Sequence, residues 1–276
     1  MSIRQNYAEG KFYPSNAKEI IQLLDNALES EKENIQYALK DKTIIGGVSP
    51  HAGHVFCARE AVHLFEIAKA SEQQFDTVVL INPNHTGYGD PISVDSHTQW
   101  QSPLGIIDID GELSDLLGLP VSPDAQRFEH SAEVIVPFIQ HFLGYNVKLL
   151  PVNFFAQNFA NAQHLAKRLK HAVDSLRRKI LVVASSDFNH FKAPEVGYKL
   201  DTLALDALVS FELEEFEQRI KTHRISICGY GPIIALMEYA RMESENAQME
   251  ILARGHSGEV HPSAEVVDYV SILVYR

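Results

Sequence analysis

Four short apolar runs punctuate the chain: TIIGGV at 43–48, TVVLI at 77–81, VKLLPV at 147–152 and ILVVA at 180–184. They lack the strict apolar–polar alternation of a half-exposed strand. Near-continuous apolar runs of this length, rich in branched residues, predict strands buried on both faces. Helical spacing of apolar residues separates them, over 55–70, 132–142, 160–176 and 195–209. Strand–helix alternation of this kind predicts an α/β fold with a central, mostly parallel sheet flanked by helices.

The remaining pattern fills in around that frame. Asn16 followed three residues later by Glu19 has the form of a capping box, and Ile20, Ile21, Leu23, Leu24 and Leu28 follow at roughly helical spacing. Weaker strand patterns at 91–94 and 106–109 are expected at a sheet edge. A helix over 232–242 and strands over 249–253 and 269–275 close the chain. There is no internal repeat and no Gly/Ser- or Pro-rich linker, so a single domain over 1–276 is expected.

Composition narrows the function classes. The chain has 276 residues, 45% hydrophobic and 22% charged, enough for a sizeable core. Its 24 basic and 36 acidic residues give a net charge of -12, which argues against a nucleic-acid or anionic-membrane surface. The basic clusters, Lys167-Arg168 with Lys170-His171 and Arg177-Arg178-Lys179, fall on or beside one helical stretch and read as its solvated face. The two cysteines, Cys57 and Cys228, form neither a CxxC motif nor a disulfide framework. No apolar run suits a signal peptide or a membrane span, so a cytoplasmic protein is expected.

The thirteen histidines then become the main question. Three of the predicted strands run out into similar loops: Ser49-Pro50-His51-Ala52-Gly53-His54, Asn82-Pro83-Asn84-His85-Thr86-Gly87 and Ser185-Ser186-Asp187-Phe188-Asn189-His190. Ligands bind in open α/β sheets outside the carboxyl ends of the strands, where loops distant in sequence converge. A fourth piece, Cys228-Gly229-Tyr230-Gly231-Pro232, precedes a helix. Free amides and the dipole at a helix N-terminus favour a thiolate. A thiolate with two neutral imidazoles makes a site for iron, copper or zinc. Glu129-His130-Ser131-Ala132-Glu133, opening another helix, is placed to supply supporting partners.

Plainer explanations exist for each residue alone. A histidine after a strand often hydrogen-bonds backbone, and a lone cysteine is more often a small buried hydrophobe than a ligand. Asp187 suits a turn cap and Glu133 a helix start. Cys57 and the other histidines, His54 among them, are read as packing or surface residues. The convergence of three loops raises the chemical reading above these.

The ordered motifs Arg4…Gly10-Lys11-Phe12-Tyr13-Pro14, Pro50-His51-Ala52-Gly53, Asn84-His85, His130-Ser131-Ala132-Glu133, Ser185-Ser186-Asp187-Phe188-Asn189-His190 and Cys228-Gly229 cover nearly the whole chain. Together they resemble the Memo family, whose prokaryotic members carry the name AmmeMemoRadiSam system protein B. The resemblance implies a fold similar to class III extradiol dioxygenases, which are non-haem iron enzymes. It implies a metal site at His51, His85 and Cys228, with Cys228 where the dioxygenases use a glutamate. It implies an acid–base role for His190, accompanied by Asp187, and supporting roles for His130 and Glu133. Two departures stand out: His54 where an aromatic residue is common, and Asn82-Pro83-Asn84-His85 where Gly-Pro precedes the second histidine motif. His54 is expected to replace the ring in packing.

The glutamate-to-cysteine exchange separates fold from reaction. A thiolate donates more charge than a carboxylate, prefers softer metals and is itself oxidisable. A dioxygenase-like fold therefore does not license ring cleavage. The resemblance points to a divalent or redox metal, iron first and copper second, in a redox or oxygen-using enzyme of undefined substrate. The alternative is a non-enzymatic metal- or peptide-binding protein, or an accessory to radical-SAM and AMMECR-like partners. A small molecule or peptide is the expected pocket ligand, with no nucleic acid and no membrane. Ser185 and Ser186 near His190 lack the G-x-S-x-G setting of a hydrolase.

Overall fold

A computed structural model describes residues 2–276. The chain begins with β1 (Ile3–Arg4) and helix α1 (Ala17–Glu31), continues through β2 (Ile44–Ser49), α2 (His54–Ala70) and β3 (Thr77–Pro83), and then forms three short strands, β4 (Ile92–Val94), β5 (Gln99–Ser102) and β6 (Gly105–Asp108). Helices α3 (Gly111–Leu117) and α4 (Val136–Phe138) lead to β7 (Lys148–Phe154), α5 (Phe159–Leu176), β8 (Ile180–Ser185) and β9 (His190–Lys192). Helices α6 (Pro194–Val209), α7 (Leu213–His223) and α8 (Tyr230–Glu243) precede the closing strands β10 (Gln248–His256) and β11 (Val266–Tyr275).

The main sheet is eight-stranded, ordered β10-β11-β2-β8-β3-β7-β4, with β9 paired to β11. The central strands β2, β8, β3 and β7 are parallel, as the strand–helix alternation predicts. The flanks are antiparallel: β11 on β2, β10 and β9 on β11, and β4 on β7. The sheet is therefore mixed, with a parallel centre. The expected edge strands are β4, at the rim of this sheet, and β6, at the rim of a small sheet ordered β1-β5-β6.

The central strands are buried on both sides, and their side chains alternate between two cores. Val79 and Ile81 of β3 with Val182 and Ala184 of β8 face a core built with α5, α6, α7 and α8. Val78, Leu80, Leu181 and Val183 face the opposite core, built with α1 and α2. Both faces are covered, so the strands carry no polar alternation. At ~1.5–3 kcal/mol per buried aliphatic side chain, this double burial is what specifies the centre of the fold.

Elsewhere the structure differs from the expected pattern. The helix expected over 132–142 is a short 3-10 turn (Glu133–Ile135), the single turn α4 and a π turn (Ile139–Leu143). Pro137, inside this stretch, has no N–H to give a regular ladder. Helices α3 and α7 were not expected. Leu213, Phe216 and Ile220 are the buried stripe of α7, at helical spacing among charged residues. No helix of the described residues is long and apolar enough to cross a membrane.

Candidate metal centre

Strand order places the site. β8 lies between β2 and β3, so the loops carrying His51, Asp187 and His85 leave three adjacent parallel strands at their carboxyl ends. Ser49 is in register with Ser185, and the Ser186 amide donates to the Ser49 carbonyl at 3.0 Å. One residue further on, the Asp187 carboxylate accepts the His51 amide at 2.8 Å. The two loops are thus joined before any side-chain ligand is considered.

Cys228 reaches the same place from the segment between α7 and α8. Its amide donates to the Asp187 carbonyl at 3.3 Å, and its carbonyl accepts from Gln157 Nε2 at 2.7 Å. Its Sγ lies 3.2 Å from His51 Nε2 and accepts the Asp187 amide at 3.2 Å. Donor atoms of His51, His85 and Cys228 all lie within 4.8 Å of one another, a cluster able to hold a metal ion.

The surrounding network settles which imidazole nitrogens are bare. The Ser185 hydroxyl donates its single proton to the Ser131 carbonyl at 2.7 Å, so it must accept at 2.7 Å from His51 Nδ1–H. His51 Nε2 then carries a lone pair and faces Cys228. His85 Nδ1 donates to Glu129 Oε1 at 2.9 Å, which leaves Nε2 as its ligand atom. A metal-binding histidine with its other nitrogen tied to a fixed acceptor is the arrangement that orients such ligands.

Electrostatics follow from burial. Desolvation, with the neighbouring imidazoles of His85, His130 and His190 further disfavouring a proton, pushes the His51 imidazole well below its ordinary value and keeps it neutral. Burial also lowers His85, but the hydrogen bond and charge of Glu129 outweigh it, and His85 ends above its ordinary value. Burial works against ionisation of Glu129 too, yet the His85 contacts and backbone donors bring its carboxyl down to about 2. Burial drives the Asp187 carboxyl up, against the amides it accepts. The Cys228 thiol is driven well up by burial and by the Asp187 charge. The expected thiolate-favouring helix terminus is therefore overridden: α8 begins at Tyr230, and desolvation outweighs its dipole. A bound cation is what reverses that balance, because coordination replaces the thiol proton.

Glu129 is the residue that sequence reasoning undervalued. It is fully buried and accepts from His85 through both amide and ring, and from Ser131 through amide and hydroxyl. Donor atoms of His85, Glu129 and His130 also lie within 4.8 Å of one another. With its lone pairs so occupied, Glu129 serves as the brace of His85. His130 stands beside the cluster, 4.9 Å from His85 and 5.6 Å from His51 between ring centroids, and stacks on Phe12 at 4.4 Å. Burial holds it down to about 4, hence neutral.

Glu133 lies apart from the ligands. It accepts from Arg4 Nη1 at 2.6 Å, from the Tyr13 hydroxyl at 2.6 Å and from the amides of Tyr7 and Ala8. It fastens the N-terminal segment, which in turn delivers Phe12 to His130. His54 is a packing residue, as expected: Nε2 meets the Val134 carbonyl at 2.7 Å, and the ring lies against Tyr13 and Phe138. His190 is half-buried, with Nδ1 donating to the Ser226 carbonyl at 2.8 Å. Cys57 is buried in α2.

Fold and site together define a mixed α/β protein with a two-histidine, one-cysteine cluster at the carboxyl edge of a parallel core. A family model described as Memo-like protein matches residues 4–273, and the chain belongs to that family. A MEMO1 family protein of Methanococcoides burtonii is 35% identical over 277 residues, covering 99% of this chain and 100% of the relative. Another, from Methanosarcina mazei, is 33% identical over 278 residues, covering 99% and 100%. The crystal structure of uncharacterized protein JW3007 from Escherichia coli K12 shares 14% identity at a TM-score of 0.47, covering 77% of this chain and 91% of that one.

Proposed function

We propose that the chain is a metal-dependent redox or oxygen-using enzyme, its metal held by His51, His85 and Cys228, with iron the first candidate and copper the second. One observation carries the reading: Ser185 and Glu129 tie back Nδ1 of both histidines, His51 Nε2 lies 3.2 Å from the Cys228 sulfur, and a donor atom of His85 lies within 4.8 Å of both. The donor set fits a soft-to-borderline transition metal better than magnesium or calcium, which take oxygen ligands. When bound, such a metal supplies electron transfer or a site for oxygen activation.

The protein groups have separable tasks in this proposal. Asp187 holds the His51 backbone and places negative charge beside the cluster. His190 donates from Nδ1 to the Ser226 carbonyl, so Nε2 is its basic nitrogen and the atom that takes and returns a proton. His130 and Phe12 form a neutral wall, and a small molecule or peptide enters where His85 and His190 are partly open.

Elemental analysis of untagged protein purified anaerobically, beside Cys228→Ala, tests the metal site. Near-stoichiometric iron or copper, lost in the variant, is expected. No metal in either, with no uptake of added iron(II) or copper, overturns the proposal. Oxygen consumption by loaded protein then tests the enzymatic part. Turnover that disappears in His190→Ala while metal is retained supports it; unchanged turnover removes His190 from the chemistry. Metal without turnover across a substrate screen leaves the non-enzymatic binding role.

A further inference from the structure

The segment that carries Cys228 is gripped from two directions. From the sheet, the Asp187 carbonyl accepts the Cys228 amide at 3.3 Å and Ser186 Oγ accepts the Gly229 amide at 2.9 Å. The second grip comes from Gln157, in the connection between β7 and α5. Its Nε2 donates to the Cys228 carbonyl at 2.7 Å, and its Oε1 accepts the Gly231 amide at 2.8 Å. The Tyr230 hydroxyl returns the contact, donating to the Gln157 carbonyl at 2.7 Å. One glutamine thus meets Cys228, Tyr230 and Gly231.

Each bond fills a need that the segment cannot meet itself. Amides in the first turn of a helix have no partner within it. Helix α8 opens at Tyr230, so the Gly231 amide is one of these, and Gly229 at the N-cap has no side chain to accept it. The Cys228 carbonyl is left over for a different reason. Four residues on, where a helical amide would answer it, stands Pro232, which has no N–H. A carboxamide offers one acceptor end and one donor end, and these two partners fix which is which. The contact is close, because a Cβ on Gly231 would fall 3.0 Å from both Cβ and Cγ of Gln157. Gln157 is itself held, its amide donating to the Phe155 carbonyl at 3.0 Å.

We infer that Gln157 is a positioning residue for the sulfur ligand, clamping the Cys228 segment so that Sγ stays beside His51. The clamp stands on hydrogen bonds alone; its use to a metal rests on the proposed site at His51, His85 and Cys228. Sγ lies 3.2 Å from His51 Nε2, and the sheet side of the grip would allow the segment to lift outward if nothing opposed it. Gln157 opposes it from the connection that leaves β7, a strand of the parallel centre. A ligand atom held in place beforehand loses less freedom when it binds. Partners of this kind, which touch a ligand residue rather than the metal, are typically worth about 10–100-fold in metal affinity.

Cobalt(II) titrated into the metal-free full chain tests this, its sulfur-to-cobalt charge-transfer band reporting on the thiolate. Wild type should show the band. Gln157→Ala should lose most of it and bind cobalt about 10–100-fold more weakly. Gln157→Glu keeps the shape and the Gly231 acceptor but not the donor to the Cys228 carbonyl, and should shift both readouts the same way. Asn158→Ala, which removes the neighbouring cap of α5, should lower thermal stability and leave band and affinity unchanged. In the metal-free proteins, iodoacetamide should alkylate Cys228 several-fold faster in both Gln157 variants than in wild type, as read by peptide mass. No cobalt uptake by wild type would sink the metal site and leave the clamp to be decided by alkylation. Unchanged alkylation in folded Gln157→Glu, or an unchanged band and affinity where wild type binds cobalt, overturns the clamp.

Discussion

Glu129 holds His85 at two points, accepting its ring nitrogen at 2.9 Å and its backbone amide at 2.5 Å. Ring orientation and loop position are thus fixed by one carboxylate, itself fully buried. Glu129→Gln keeps the shape but removes the charge, and with its carbonyl kept where three donors converge on Oε1 it turns an NH2 against the His85 amide that Oε2 accepts. Metal affinity is expected to fall about 10–100-fold. Ser185→Ala, which frees His51 Nδ1, should weaken it in the same direction. Competition against a chelator of known affinity measures both. Glu133→Gln is the contrast: its partners are the N-terminal segment, so affinity should stay within about twofold while thermal stability falls. Equal affinity in Glu129→Gln and wild type would remove the brace.

The two histidines of the candidate cluster were legible because they sit at strand ends, where strand order alone brings His51, His85 and Asp187 side by side. Glu129 was not, because nothing in Glu129-His130-Ser131 distinguishes the acid that turns toward His85 from Glu133, which turns toward Arg4. Their roles are set by contacts 44 and 129 residues away in sequence. The parallel centre was legible because both its faces are buried. Helix α7 carried its stripe of Leu213, Phe216 and Ile220 in plain view, but acidic and basic residues between them diluted it. The helix terminus near Cys228 was visible too. What a linear reading lacks is the desolvation that outweighs it.

Glu60 gives the protein a pH signature independent of any metal. Burial raises its carboxyl from an ordinary 4.5 to about 7, with the Glu259 charge adding to the rise. The folded state therefore keeps a proton that the unfolded chain releases between those values, and stability falls as pH rises through that window. Fully developed above pH 7, the cost is about 3 kcal/mol. Glu60→Gln should flatten the curve and be more stable than wild type on the alkaline side. Urea denaturation of metal-free protein across pH 4 to 8 measures it. A parallel pair of curves would mean Glu60 is not held neutral.

Gly229 sets how closely Cys228 approaches the sheet. A Cβ there would lie 2.2 Å from the Ser185 carbonyl oxygen and 2.7 Å from Ser186 Cβ. Its φ of -112° is open to any residue, so the demand is steric rather than conformational. The Ser185 carbonyl belongs to β8 and cannot yield without disturbing the strand that also positions His51. Gly229→Ala must instead push its own segment away, carrying Cys228 Sγ from His51 and breaking the Gly229 amide bond to Ser186 Oγ. A loss of about 1–3 kcal/mol in stability is expected from the overpacking, with loss of the metal as the cysteine withdraws. Gly111→Ala is the control. Nothing lies within 4 Å of its Cβ, and it opens α3. There the change should be neutral or stabilising by about 0.4–1 kcal/mol. Denaturation and metal titration on the two variants separate a cysteine placed by close approach from one that merely happens to lie nearby.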